Sequence, residues 1–386
     1  MSAVVYHGIN DLRTEEVPVP RIASGDLLVK VAACGVCPTD IKKIQYGTVS
    51  PPRIFGHETS GAIVKVGSAV RGFKAGDRVA LHHHVPCLDC HACRHRAFAQ
   101  CSQYKRTGIT AGFEPAGGGY AEYVRVMPFV LPGVVKIPAR NSFLEGAMLE
   151  PVNTVLKAVN RLNLLKGDQV IVAGQGPIGL MFTRLLALRG INVLATDLLD
   201  PRLKLARRFG ARSTLNANTA PNSAPPEATV RRPSSTLTRV QTPLAGIVQR
   251  LTRGRGLDAA IIAVPSDAVV RECQELLRGG GQVLLFSHTR RSVETSLDLA
   301  SICVDEKDLI GSYSADFLLQ KQASDLVFSR KLDVRSLITD VFSLPDTSKA
   351  IALASRPTGE SLKIVVVPGE NNARANKSRL WRSGVR

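Results

Sequence analysis

From Met1 to Ala147 the apolar positions recur in short alternating runs, LLVKVAAC, GAIVKVGS, GDRVALHH and GYAEYVRV, separated by Gly and Pro. A period of two bounded by such breakers predicts the strands of an irregular, mostly β domain. After Pro151 the period changes. TVLKAVNRLNLL has helical spacing, QVIVAG reads as a buried strand, PIGLMFTRLLALRG as a helix stopped by Gly190, and INVLATD as a second buried strand. PRLKLARRFG, LDAAIIAV, DAVVRECQELLRGGG and QVLLFS continue the exchange of helix and strand. Such alternation predicts right-handed crossovers and a parallel, doubly wound sheet. From Ser314 the chain changes again, with helices in FLLQKQASDLVFSR and TSKAIALAS and a closing strand in SLKIVVV. Three segments follow: 1–151, 152–313 and 314–386. Between Asn218 and Pro243 the alternation lapses into Pro, Ser and Thr, which predicts a mobile surface insertion over 218–243.

Composition narrows the class. A chain of 386 residues, 44% hydrophobic and 21% charged, is long enough for two or three domains with real cores. Its most apolar stretch, Val170 to Leu188, is interrupted by glycines, Gln175 and Arg184, so no membrane span is expected. Asp11, Arg13, Glu15 and Glu16 stand where a signal peptide needs an apolar run, and the expected location is the cytoplasm. The net charge of +18 invites a nucleic-acid reading. Its densest basic run, however, is the tail from Glu370 to Arg386, and such runs are usually solvated; no nucleic-acid motif accompanies it.

The strand QVIVAG runs into Gly174, Gln175, Gly176, Pro177, Ile178 and Gly179, a GxGxxG that opens a helix. Glycines there permit a tight turn and close approach to a pyrophosphate, whose charge meets the helix N-terminus. Asp197 ends the next strand, where a carboxylate accepts hydrogen bonds from the adenosine ribose and repels a 2′-phosphate. NAD is therefore expected over NADP, with Arg202 as the residue that would soften the preference.

Six of the eight cysteines lie between Cys34 and Cys101. Cys87, Cys90, Cys93 and Cys101 form C-x2-C-x2-C-x7-C over residues 87–101, and four thiolates close a tetrahedron around zinc with no open position, a structural site. His82, His83 and His84 alongside read as a strand end. A catalytic zinc instead keeps one position open and takes three ligands from Cys, His and carboxylate. Cys37, His57 and one of Glu58 and Glu150 supply that set. Cys34 and Cys37 also spell C-x-x-C, but Cys34 closes an apolar strand and reads as core.

The motifs GVCPTD, GHE, the four-cysteine lobe, GGGYAEY, LEP and GQGPIG occur in the order seen in zinc-containing medium-chain alcohol dehydrogenases, and the chain resembles the branch with sorbitol and threonine dehydrogenases from Val5 to Pro368. The resemblance implies an α/β protein with a GroES-like, mostly β catalytic domain, a Rossmann doubly wound parallel sheet, return of the C-terminal segment to the catalytic domain, and a homodimer or homotetramer. It implies two zinc ions per chain and hydride transfer between a polyol or secondary alcohol and NAD at the cleft between domains. It makes Cys37 and His57 zinc ligands, matches Glu150 to the carboxylate ligand of the branch and Glu58 to a neighbouring glutamate, and gives Thr39 the substrate proton. Lys42 stands where many relatives have the histidine that ends the proton relay. Tyr46, Phe55 and Phe113 are candidates to face the substrate. Two other readings compete: a basic scaffold on the same fold has no use for Cys37, Thr39, His57 and Glu150 together, and a zinc-independent quinone reductase conflicts with Cys37 and the thiolate lobe.

Overall fold

In a computed structural model the protein is described for residues 1–82, 84–109, 112, 114, 116–219, 242–287 and 294–368. The chain forms two compact units, Met1–Lys157 with Tyr313–Arg386, and Ala158–Ser312. The bulk of the expected insertion, the basic tail, His83 and Phe113 lie outside the described residues. Among those described, no helix is long and apolar enough to cross a membrane.

In the first unit the alternating segments pair as their period requires. Strand Leu27–Gly35 is hydrogen-bonded antiparallel to Glu58–Val66 on one side. On the other flank lie Tyr123–Val126 and the late strand Lys363–Val367. The sheet has seven strands, and its outer members include Arg78–Ala80, Val135–Lys136 and Ile338–Ser343. A second, three-stranded sheet joins Ser2–Gly8 to Asp11–Glu16 and Arg53–Ile54. Tyr6, Leu27, Val29, Phe55, Ile63, Tyr120, Val124 and Val366 share one core. The C-terminal return seats Val365 opposite Gly35 and Val366 opposite Cys34. Those pairings bring Lys363, two residues upstream, beside the GVCPTD segment.

The second unit is a six-stranded, wholly parallel sheet in the order Ser213–Asn216, Asn192–Asp197, Gln169–Ala173, Leu257–Ile262, Leu277–Leu285, Asp308–Gly311. This is the 3-2-1-4-5-6 arrangement of a dinucleotide-binding sheet. Its central strands are buried along their length, as parallel strands covered on both faces must be. The run DAVVRECQELLRGGG divides differently from its sequence pattern. The helix ends at Glu275 and the strand begins at Leu277, so the three glycines belong to the strand. The strand can hold them because a register shift between Leu257 and Ala259 absorbs the irregularity.

Candidate functional site

The helix Pro38–Tyr46 is built for an exposed N-terminus. Pro38 occupies its first turn, where no N–H is needed, and Cys37 is the N-cap, its Sγ accepting from the Thr39 N–H at 3.5 Å. That places the Cys37 sulfur at the positive end of the helix and Thr39 beside it. Asp40, in the same turn, is fully buried and meets His57 Nδ1 at 3.1 Å. With Nδ1 held by Asp40, Nε2 is the ring nitrogen that would ligate a metal.

His57 follows Gly56, whose φ of +97° strongly favours glycine and whose added Cβ would stand 2.7 Å from Cys34 Sγ. Glu58 opens its strand opposite Gly35. Lys363 crosses from the returning strand to donate to Glu58 Oε1 at 2.7 Å and to the Val36 carbonyl at 2.8 Å, and it also contacts Oε2. One ligand atom each from Cys37, His57 and Glu58 lies within 4.8 Å of the others. Glu150, on helix Leu149–Val159, is buried with its Oε1 3.4 Å from His84 Nδ1.

The electrostatics fit a cation. Burial disfavours a charged His57, yet the Asp40 carboxylate and Cys37 thiolate outweigh it and hold the imidazole well above its ordinary range. Surroundings that favour a proton there favour a divalent cation in its place. Burial pushes Glu150 up to about 7, against the pull of His57. Burial also opposes the charge on Lys363, but Glu58 restores it and keeps the ammonium above its usual value.

The four sulfurs of Cys87, Cys90, Cys93 and Cys101 likewise lie within 4.8 Å of one another. Cys90 and Cys93 approach to 3.4 Å, and backbone N–H groups of Cys87 and Cys90 point at the sulfurs of Cys101 and Cys87 at 3.4 Å. Thiols this close, with amides aimed at them, form a socket for a metal bound as thiolates. The lobe has its own small core of Cys93, Phe98, Cys101 and Tyr104.

In the second unit Gly174, Gly176, Pro177, Ile178 and Gly179 form the turn between strand Gln169–Ala173 and helix Pro177–Leu188. A Cβ on Gly179 would stand 1.8 Å from the Gly174 carbonyl oxygen, so helix and strand meet closely only with glycine. Asp197 ends its strand and accepts from Gln175 N at 2.6 Å and Leu199 N at 3.0 Å, tying the glycine turn to the neighbouring strand end. Arg202 Nη1 is 4.0 Å from Asp197. At the carboxyl ends of these strands opens a small, mostly apolar cavity of about 110 Å³, lined by Ala173, Thr196, Leu215, Pro243 and Val269.

The structure thus gathers Cys37, Thr39, Asp40, His57 and Glu58 around one point, sets Glu150 beside His84, and groups the glycine turn with Asp197 and Arg202. Asp40, His84 and Lys363 were not singled out as site residues from sequence. Asp40 closes the GVCPTD motif, whereas nothing local marks Lys363, which arrives by a strand more than 300 positions downstream. Phe55, expected to face the substrate, is instead fully buried and packs edge-on against Tyr6 at 5.3 Å in the core. Tyr46 is exposed. His82 and His84 lie past the end of strand Arg78–Ala80 and are buried.

Comparison with known proteins agrees with both halves. Residues 23–139 match the alcohol dehydrogenase GroES-like domain, and residues 177–329 match the zinc-binding dehydrogenase family. The chain is 30% identical over 378 residues to the "probable D-xylulose reductase A" of Emericella nidulans, covering 95% of this chain and 96% of that one. It is 29% identical to the sorbitol dehydrogenase of Bacillus subtilis over 95% and 97% of the two chains. The alcohol dehydrogenase of Thermus sp. ATN1 superposes with a TM-score of 0.79 at 25% identity, covering 96% of this chain and all of that one. The chain is an oxidoreductase and belongs to the zinc-binding alcohol dehydrogenase family.

Proposed function

We propose that this enzyme oxidises a polyol or other secondary alcohol with NAD, at a zinc site formed by Cys37, His57 and one of the carboxylates Glu58 and Glu150, while a second zinc sits in the lobe of Cys87, Cys90, Cys93 and Cys101. The observation that carries the reading is the meeting of Cys37, His57 and Glu58 at a helix N-terminus with Asp40 and Lys363 behind them. Lys363 touches both oxygens of Glu58 and neutralises it, which favours Glu150 as the carboxylate ligand. When bound, zinc supplies a Lewis acid that lowers the pKa of the substrate hydroxyl, and NAD supplies the hydride acceptor.

The chain's own part is to orient groups and move a proton. Asp40 fixes the His57 tautomer and ring plane. Thr39 Oγ1, one residue beyond the proline that starts the helix, receives the substrate proton. Lys42 is partly buried, and burial lowers its pKa while Cys37 opposes the shift. It contributes charge, and the proton leaves from Thr39 to water or the cofactor ribose. The glycine turn receives the pyrophosphate, Asp197 the adenosine ribose with NAD preferred over NADP, and the apolar space at the strand ends a flat ring such as adenine. The enzyme works as a cytoplasmic homodimer or homotetramer. D-xylulose reductase and sorbitol dehydrogenase among the relatives support a polyol substrate. The test is NADH formation across polyols, sugar acids, threonine and simple secondary alcohols. Turnover with polyols supports the reading, and turnover with none of these substrates contradicts it.

A further inference from the structure

We propose that His84 and Tyr104 are positioning residues through which the four-thiolate lobe holds Glu150 at the catalytic metal centre, so that the lobe's metal shapes the second site as well as its own loop. The proposal rests on the reading of Glu150 as a metal ligand. Its starting point is where the lobe begins and ends. His84 lies three residues before Cys87, and Tyr104 three residues after Cys101. Closing four thiolates on one metal fixes Cys87 and Cys101 close together, and with them the chain entering and leaving the lobe.

Both side chains are buried, and their rings meet edge to face with centroids 5.2 Å apart. Tyr104 belongs to the lobe: it packs with Cys93, Phe98 and Cys101, and its hydroxyl donates to the Ala99 carbonyl at 3.2 Å. His84 faces the other way as well. Its Nδ1 is 3.4 Å from Glu150 Oε1, and its ring lies 6.3 Å from that of His57. The imidazole edge therefore rests against one oxygen of the Glu150 carboxylate, while its ring packs on Tyr104 on the lobe side. Lys363, by contrast, reaches both oxygens of Glu58, so the two carboxylates are held by different partners, Glu58 by the return strand and Glu150 by the residue that leads into the lobe. The path from lobe to ligand is one of direct contacts: thiolates, Tyr104, His84, Glu150.

The test uses the full-length protein with Co²⁺ in the catalytic site and zinc kept in the lobe, and reads the visible spectrum and the rate of Co²⁺ release to a chelator. His84→Ala is expected to shift the bands and to speed release about tenfold or more, the scale of a lost partner to a metal ligand. His84→Asn, whose amide keeps a donor near the Nδ1 position, restores the wild-type spectrum. Tyr104→Ala shifts the bands in the same sense, Tyr104→Phe does not, and the double variant is no worse than His84→Ala alone. A wild-type spectrum and release rate in folded His84→Ala overturns the proposal, and so does an unchanged spectrum in Tyr104→Ala. Should His84→Ala fail to fold, the contrast between Tyr104→Ala and Tyr104→Phe decides alone. None of these readouts needs a substrate, so a wrong assignment of the alcohol shows separately, as wild-type protein that binds Co²⁺ normally but turns nothing over.

Discussion

Thr39 and Lys42 share one helix but differ in chemistry, and the work proposed for them differs accordingly. A hydroxyl can relay a substrate proton by passing its own onward, whereas a lysine with an unperturbed pKa near 10.4 accepts one at neutral pH only when strongly desolvated. Lys42 is only partly buried. Thr39→Val should lower turnover about 10²-fold, and Lys42→Ala far less, in alcohol oxidation measured against pH. An equal loss in both, with a rate-limiting ionisation vanishing in Lys42→Ala, would make Lys42 the base. His82 carries a second prediction. It is fully buried, neither ring nitrogen has a hydrogen-bond partner among the described residues, and burial pushes its pKa down to about 3. The unfolded chain binds this proton near pH 6.5 and the folded chain does not, so stability is lost as pH falls from about 6.5 toward 3. Between pH 7 and pH 5 the wild type should lose about 2 kcal/mol more than His82→Leu, read from urea midpoints. Residues of this kind mark how far sequence reaches. Cys37, His57 and the four lobe cysteines show themselves by type and spacing. Nothing in HHHVPC tells that His84 meets Glu150 while His82 is sealed off, because that depends on which way a few residues past a strand end turn.

Elements were legible where the apolar period was long. TSKAIALAS is helical over Thr347–Ser355, and QVIVAG and INVLATD are strands in register in the parallel sheet. The pattern misled where helix and strand abut without a polar break, as at Glu275 and Leu277. Phe55 was misplaced for a related reason: its neighbourhood is rich in glycine and proline, which reads as loop, yet the short strand Arg53–Ile54 beside it pairs with Ser2–Gly8 and carries the ring into the core. The glycine turn is an element whose geometry gives a direct expectation. In Gly179→Ala the new methyl meets the Gly174 carbonyl, so the helix must move off the strand and the phosphate cradle opens. NAD affinity, measured by fluorescence titration, should fall at least tenfold with the metal content unchanged. Wild-type affinity in that variant would remove the turn from the cofactor site.

At the scale of the molecule, the late return of the chain to the first unit is what completes the site. Strand Lys363–Val367 enters beside Leu27–Gly35 and delivers a buried ammonium to Glu58. Removing one member of a buried ion pair leaves the other charge without compensation, at about 3 to 5 kcal/mol. Lys363→Met should therefore cost about 3 kcal/mol in chemical unfolding, and adding Glu58→Gln should recover most of it. A Lys363→Met protein as stable as wild type would show that the pair does not hold the return strand. The motif order along the chain pointed to this architecture, but not to the lysine. The proposed chemistry depends on two metal sites of different character, one closed by four thiolates and one with a mixed ligand set and an open position. Zinc analysis of the purified protein and two variants tests it most directly. Wild type should hold about two equivalents, and Cys37→Ser about one while staying folded without turnover, whereas Cys90→Ser should be impaired in folding or assembly. A single zinc in well-folded wild type, or full turnover in Cys37→Ser, would contradict it.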